Sequence, residues 1–147
     1  MQWPERKRLD HVTPDWVGPE AKFFVTVCAM PRGQNHFCRD GIGQVILDSI
    51  RFRNDRETWF CHLAVLMPDH IHLLLSFPPE VVSFAKIVGS WKHWLGHQHD
   101  VVWQENFFDH RVRTDEKYSE KVQYVWDNPI RGGLVSDMQK WPWKFKA

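Results

Sequence analysis

Two histidines one residue apart, His70 and His72, open the run His70-Ile71-His72-Leu73-Leu74-Leu75. On a strand, side chains two apart project from the same face, so both imidazoles stand together while Ile71, Leu73 and Leu75 turn to the other side. Two imidazoles on one strand face make half a site for a divalent cation. They are also the pattern of two histidines on a polar sheet face. A second set lies in Tyr124-Val125-Trp126-Asp127-Asn128. Positions i and i+4 share a helix face, so a phenol and a carboxamide would project from one side, and an amide oxygen can complete a cation's shell without adding charge. The plainer alternative, which spacing alone favours, makes Tyr124 a core residue of an amphipathic helix and Asn128, before Pro129, an N-cap opening a short turn.

Taken together, two imidazoles, an amide oxygen and a tyrosine are the components of a metal-assisted phosphoryl transfer. In such a transfer a phenol attacks phosphorus and is held as a covalent ester. The ester keeps the energy of the broken phosphodiester, so no nucleotide cofactor is needed, and the chain has no GxxxxGK(S/T) loop. Only Tyr118 and Tyr124 are available as tyrosine nucleophiles, beside nine Trp and ten Phe. Hard cations prefer oxygen, and a mixed imidazole and amide set suits Mn²⁺ better than Mg²⁺.

These groups need a scaffold to position them. Phe23 to Ala29 is rich in β-formers and ends at Pro31-Arg32-Gly33, which predicts a first strand. Val45, Ile46, Ser49, Ile50 and Arg53 follow helical spacing, giving a helix near 41–55. Trp59 to Met67 reads as a second strand, with Leu63, Val65 and Met67 on one face and His62, Ala64 and Leu66 on the other. Pro68-Asp69 is a tight turn into a third strand, His70 to Phe77. A second helix near 80–97 carries the stripe Phe84, Val88, Trp91, Leu95. Val101-Val102-Trp103 is expected as a short fourth strand, 104–113 as a polar and aromatic loop, and Thr114 as the cap of a third helix running to about Asp127. The order β-α-β-β-α-β plus a helix is the ferredoxin-like split βαβ arrangement. The fold class expected is therefore α+β, an antiparallel sheet with helices on one face and an added C-terminal helix carrying the tyrosine.

The chain has 147 residues, 43% hydrophobic and 25% charged, as expected of one globular domain over 1–147, with 1–20 a flexible basic N-terminal arm. No apolar run approaches the ~20 residues of a membrane helix, and none follows the N-terminal charges as in a secretory leader. Three cysteines without CxxC spacing argue against a disulfide framework. The expectation is a cytoplasmic protein without membrane contact. The net charge is only +1, but cations cluster at Arg6-Lys7-Arg8, at Arg51, Arg53 and Arg56, and at Arg111 and Arg113 with Lys117 and Lys121. Any one of these clusters alone reads as solvated surface.

The segment Val65-Leu66-Met67-Pro68-Asp69-His70-Ile71-His72-Leu73-Leu74 resembles the HUH signature of the Y1 transposases of the IS200/IS605 type. Trp103-Gln104 followed by Phe107-Phe108-Asp109-His110-Arg111-Val112-Arg113 is similar to their next segment. Tyr124 to Val135, with its Asn128-Pro129-Ile130-Arg131-Gly132-Gly133-Leu134-Val135 ending and the following Trp141-Pro142-Trp143, is most like the REP-associated tyrosine transposase branch. The resemblance spans about residues 5–145.

It implies His70 and His72 as ligands of Mg²⁺ or Mn²⁺, Asn128 as the third ligand, Tyr124 as the nucleophile that forms a 5′-phosphotyrosine, and Tyr118 as a non-catalytic aromatic. The implied partner is single-stranded DNA with hairpin, palindromic-repeat ends, in a prokaryotic cytoplasm near the nucleoid. The protein is expected to be a monomer rather than a homodimer. On that reading Arg6, Lys7 and Arg8 reach along the nucleic acid, and Arg111 and Arg113 contact phosphates. Phe107 or Phe108 stacks on an unpaired base, unless both pack in the core. The expected activity is a metal-dependent single-strand DNA endonuclease and strand transferase. The alternatives are a domesticated relative that binds or nicks REP hairpins without transposition, and a small HxH metallohydrolase that does not act on DNA.

Overall fold

The computed structural model describes residues 14–17, 22–81, 83–112 and 118–147. Arg6, Lys7, Arg8, Arg113 and Thr114 lie outside the described residues. Of the expected arm, residues 14–17 form a turn, and the Trp16 indole donates to Glu57 Oε1 at 3.2 Å.

Strand β1 (Lys22–Cys28) leads through a loop to helix α1 (Ile42–Asp55). Strands β2 (Phe60–Leu66) and β3 (His70–Ser76) form a hairpin, and helix α2 (Phe84–His99) follows. Then come β4 (Phe108–Val112), α3 (Tyr118–Trp126), a four-residue α4 (Asn128–Arg131), a 3-10 turn (Met138–Lys140) and β5 (Lys144–Lys146). The sheet order is β4-β1-β3-β2-β5, every neighbour antiparallel. Its first four positions are the ferredoxin-like order expected from the sequence, and β5 is an addition that sequence patterning did not foresee.

Alternation divides the sheet into two faces. Val25, Val27, Cys61, Ala64, Leu66, Ile71, Leu73 and Leu75 are buried against Ile46, Leu47 and Ile50 of α1 and Val88, Trp91 and Leu95 of α2. This is the single layer of helices that was expected. The added helix α3 lies on the opposite face, where Tyr118, Val122, Val125 and Trp126 pack on Phe24, Leu63, Val65, Met67, Leu74 and Val112. No α3 residue is fully buried, and nine residues cannot hold a helix in water unaided. The stripe at i, i+4, i+7 and i+8 therefore fixes its position.

Three expectations are corrected. Val101-Val102-Trp103 is not a strand: it makes one bridge, Ala29 to Trp103, because the Trp103 ring turns inward beside Phe37 and Trp91 and its Nε1 donates to Lys92 O at 2.8 Å. The fourth strand is instead β4, inside the segment read as loop, entered after Asn106 at φ 68°. His62 does not share a face with Ala64 and Leu66. A bulge between Cys61 and Leu63 shifts the register, and the His62 Nε2 sits 2.8 Å from Ser76 Oγ on the α3 side.

The β2 edge is closed by β5. Leu66 N donates to Trp143 O at 3.0 Å, Trp141 Nε1 donates to Leu66 O at 3.1 Å, and the Trp143 ring lies on Gly43 of α1. Among the described residues no helix is long and apolar enough to cross a membrane. Cys28, Cys38 and Cys61 are free, and burial pushes the Cys38 thiol up to about 12.

Candidate active site

The hairpin turn is tight: Met67 N donates to His70 O at 2.8 Å, leaving Pro68-Asp69 as the connecting pair. It is pinned from the loop after β1, where His36 N and Phe37 N both donate to Pro68 O and Ala29 N reaches Asp69 O. His70 and His72 follow on one face of β3, half-buried, with ring centroids 4.9 Å apart and planes at 85°.

Each ring is oriented by its other nitrogen. His70 Nδ1 is 2.8 Å from Asp69 Oδ1. A carboxylate only accepts, so Nδ1 carries a proton and Nε2 is the ring nitrogen left to face a cation. Burial would raise the Asp69 pKa, but hydrogen bonds from Arg32 Nε (2.9 Å), Gly33 N (2.7 Å) and His70 outweigh it and hold the carboxyl well below the usual carboxylate range. His72 Nδ1 is 3.0 Å from the hydroxyl of Thr26, its direct cross-strand partner on β1. Burial, with the charges of His70 and Arg131, pushes its pKa down to about 4, so the ring is neutral near pH 7.

From the other side comes the α3–α4 junction. Asp127, not Asn128, is the N-cap of α4, and Pro129 is at its start. Asn128 is thereby free of capping, and its Nδ2 lies 2.7 Å from His72 Nε2. The N-cap alternative for Asn128 is therefore set aside. Tyr124, one turn earlier, is not a core residue: it is 64% exposed. It lines a cleft of about 520 Å³ whose other walls include Phe24, Thr26, His72 and Val125. Tyr118 packs on the sheet with Lys22 Nζ 4.7 Å above its ring.

The donor set fits a hard or borderline cation: two imidazoles, each anchored through Nδ1, and one carboxamide. Among the described residues there is no cluster of three or more His, Cys, Asp or Glu, and the Asn128 amide, 2.7 Å from His72 Nε2, is the candidate third ligand. The carboxylate behind His70 is the arrangement that commonly fixes a metal-bound imidazole.

The remaining candidates are distributed unevenly. Phe108 is 65% exposed and pairs directly with Thr26, so it shares the site's sheet face. Phe107 does not stand beside it. Period two sends its ring to the helix layer, where it packs on the core with Lys92 Nζ 5.6 Å away. Arg111 is exposed opposite Phe23, on the pleat facing the helix layer. Lys92 is buried and donates to Gln104 O and Asn106 O, so it serves the loop rather than a ligand.

Four residues of the site escaped the sequence reading. Asp69 was read only as a turn residue, although it stands next to His70. Thr26, Arg32 and Arg131 also contribute. Arg131 lies three positions from Asn128, a spacing that does place it beside the amide, and its guanidinium carbon sits 3.5 Å from the Tyr124 ring centroid.

No family model matches the chain. The REP-associated tyrosine transposase of Escherichia coli (strain K12) is 28% identical over 97 residues, 63% of this chain and 57% of that protein. A Haemophilus influenzae protein provisionally given the same name is 26% identical over 94 residues, 53% of each chain. The chain thus spans about half the length of the curated relatives it matches. Among solved structures, a REP-associated tyrosine transposase bound to a REP hairpin superposes with TM-score 0.72 at 20% identity, over 90% of this chain and 80% of that one. A Deinococcus radiodurans protein provisionally described as a transposase gives 0.53 at 18% identity, over 80% and 95%. In sequence and in fold, the chain is similar to the REP-associated tyrosine transposases.

Proposed function

We propose that the chain is a single-strand DNA endonuclease and strand transferase that uses Tyr124 as its nucleophile on hairpin-forming repeat DNA. The observation that carries this reading is the contact of 2.7 Å between Asn128 and His72 Nε2, which brings the tyrosine helix to the histidine pair with Tyr124 exposed on the same cleft. The REP hairpin held by the solved relative supports the substrate class. His70, His72 and Asn128 would hold Mg²⁺ or Mn²⁺, whose contribution when bound is to polarise the scissile phosphate and offset charge on its oxygens.

The remaining steps belong to the protein. The cleft holds the phosphodiester against the exposed phenol, giving the proximity that nucleophilic attack needs. The phenolic oxygen forms a bond to phosphorus while the bond from phosphorus to the 3′ oxygen breaks. The phenol loses its proton, and the 3′ oxygen leaves as a hydroxyl. The 5′-phosphotyrosine left behind can be attacked by another 3′-hydroxyl, which reverses the step and joins strands. Phe108, on the same sheet face, would stack an unpaired base. Arg111 and Arg113 remain proposed phosphate contacts, and Arg6, Lys7 and Arg8 a proposed arm that reaches along the nucleic acid beside the hairpin. The contact of His72 with Asn128 within one chain supports a monomer rather than a homodimer.

The test is to incubate the protein with hairpin-bearing single-stranded DNA and Mn²⁺ and to resolve a covalent adduct on a denaturing gel. Wild type and Tyr118→Phe should form it; Tyr124→Phe should fold and bind DNA but form none. An adduct with Tyr124→Phe overturns the assignment.

A further inference from the structure

Arg131 touches both the proposed nucleophile and the proposed amide ligand. Its Nη1 donates to the Tyr124 backbone carbonyl, its Nη2 donates to Asn128 Oδ1 at 3.1 Å, and its guanidinium carbon lies over the Tyr124 ring. A guanidinium has donors only. The atom of Asn128 that faces it must therefore be the carbonyl oxygen, which sends the NH₂ toward His72 Nε2. His72 then has to accept on Nε2 and donate from Nδ1 to Thr26. One arginine thus sets the direction of an amide and, through it, the tautomer of a histidine.

This orientation has a cost for cation binding. Hard cations take amide oxygen, not amide nitrogen, and here the oxygen is turned toward Arg131. Rotating the amide to offer its oxygen would place the NH₂ against the guanidinium, donor facing donor. Arg131 must release Asn128 before Asn128 can ligate.

We propose that Arg131 is a positioning residue that competes with the divalent cation for the Asn128 amide oxygen, holding the site in a closed orientation until the cation displaces it. The inference rests on the metal-dependent reading of the site given above. Released from Asn128, the Nη2 edge stays beside the Tyr124 ring, where it can meet a phosphoryl oxygen.

The test uses Arg131→Ala and Arg131→Lys in the full chain. Arg131 is exposed, and both variants should melt near wild type. Removing the competitor should tighten Mn²⁺ binding in Arg131→Ala by about tenfold, the scale of one hydrogen bond to a charged group, while adduct formation slows. In the metal-free protein, ¹⁵N NMR should show His72 protonated on Nδ1 in wild type and a mixture of tautomers in Arg131→Ala. Arg131→Lys keeps the charge and one donor, and should resemble wild type in both readouts.

Mn²⁺ affinity that is unchanged or weaker in Arg131→Ala, or an unchanged tautomer, would mean that Arg131 merely braces the helix, and the proposal is overturned. Neither the Mn²⁺ titration nor the NMR measurement requires DNA. If wild type forms no adduct with hairpin DNA while these two readouts behave as expected, the DNA reading fails and the role of Arg131 stands.

Discussion

Asp69 is half-buried, yet it accepts three hydrogen bonds, from Arg32, Gly33 and His70. These make it a fixed anion behind one imidazole. Replacing it with Asn keeps an oxygen for His70 but removes the charge and the reason for Arg32 to approach. Asp69→Asn should lower Mn²⁺ affinity by roughly 10–100-fold, as loss of such a supporting carboxylate does, with the melting temperature little changed; a titration giving wild-type affinity would count against the relay. At this scale the sequence was informative about identities and silent about partners. His70, His72, Tyr124 and Asn128 were singled out because period 2 and period 3.6 each put a pair on one face. Asp69, Thr26 and Arg131 were missed because their roles come from contacts between β1, the hairpin turn and α4, which no local period encodes.

Elements differ in how firmly they are held. Helices α1 and α2 bury whole side chains, and their stripes were legible for that reason. The strand β4 was not: Phe108 to Val112 alternates, but polar residues at an edge give a weak signal, and the more β-prone Val101-Val102-Trp103 was spent on packing Trp103 inward. The tail that becomes β5 was also unreadable, since three residues have no periodicity of their own. Its attachment can be tested at Gly43. A Cβ there would press on the Trp143 ring and lie 2.9 Å from Phe37 O. Gly43→Ala should therefore destabilise by about 1–3 kcal/mol, and the loss should shrink in the double variant with Trp143→Leu. Equal melting temperatures for Gly43→Ala and wild type would show that the tail does not depend on this contact.

Across the whole molecule, the two faces of one sheet divide the work: the α1/α2 side supplies a dry core, and the α3 side carries the ionisable and exposed groups. His62, brought to that second side by the bulge, is pushed down to about 4 by burial and by the charge of Lys22. The unfolded chain binds its proton near 6.5, the folded one only near 4. Stability from this group is thus complete above about 6.5 and is lost as pH falls toward 4, with a slope of at most about 1.4 kcal/mol per pH unit. Urea melts between pH 7 and 4.5 should show His62→Gln losing less stability than wild type; parallel curves would remove His62 as the cause. The fold class was legible because element order survives small errors in boundaries. The placement of a helix on each face was not, because strands that are apolar on both sides say only that something covers them.

The row Phe108, Thr26, His72 crosses three adjacent strands, each residue directly opposite the next. Two inter-strand steps of roughly 4.8 Å put Phe108 about 10 Å from the histidine pair. At 3.4 Å per stacked nucleotide, that is a length of about three nucleotides, after which the sheet ends; on the other side α3 stands in the way. If Tyr124 cleaves DNA as proposed, the sheet can act as a ruler only for this short footprint. Anything that distinguishes one longer repeat from another must be read elsewhere. A series of oligonucleotides trimmed toward the cleavage point should cleave equally well until about three nucleotides remain on the Phe108 side, then fail abruptly. A gradual decline over ten or more nucleotides would show that the strand leaves the sheet by a different path.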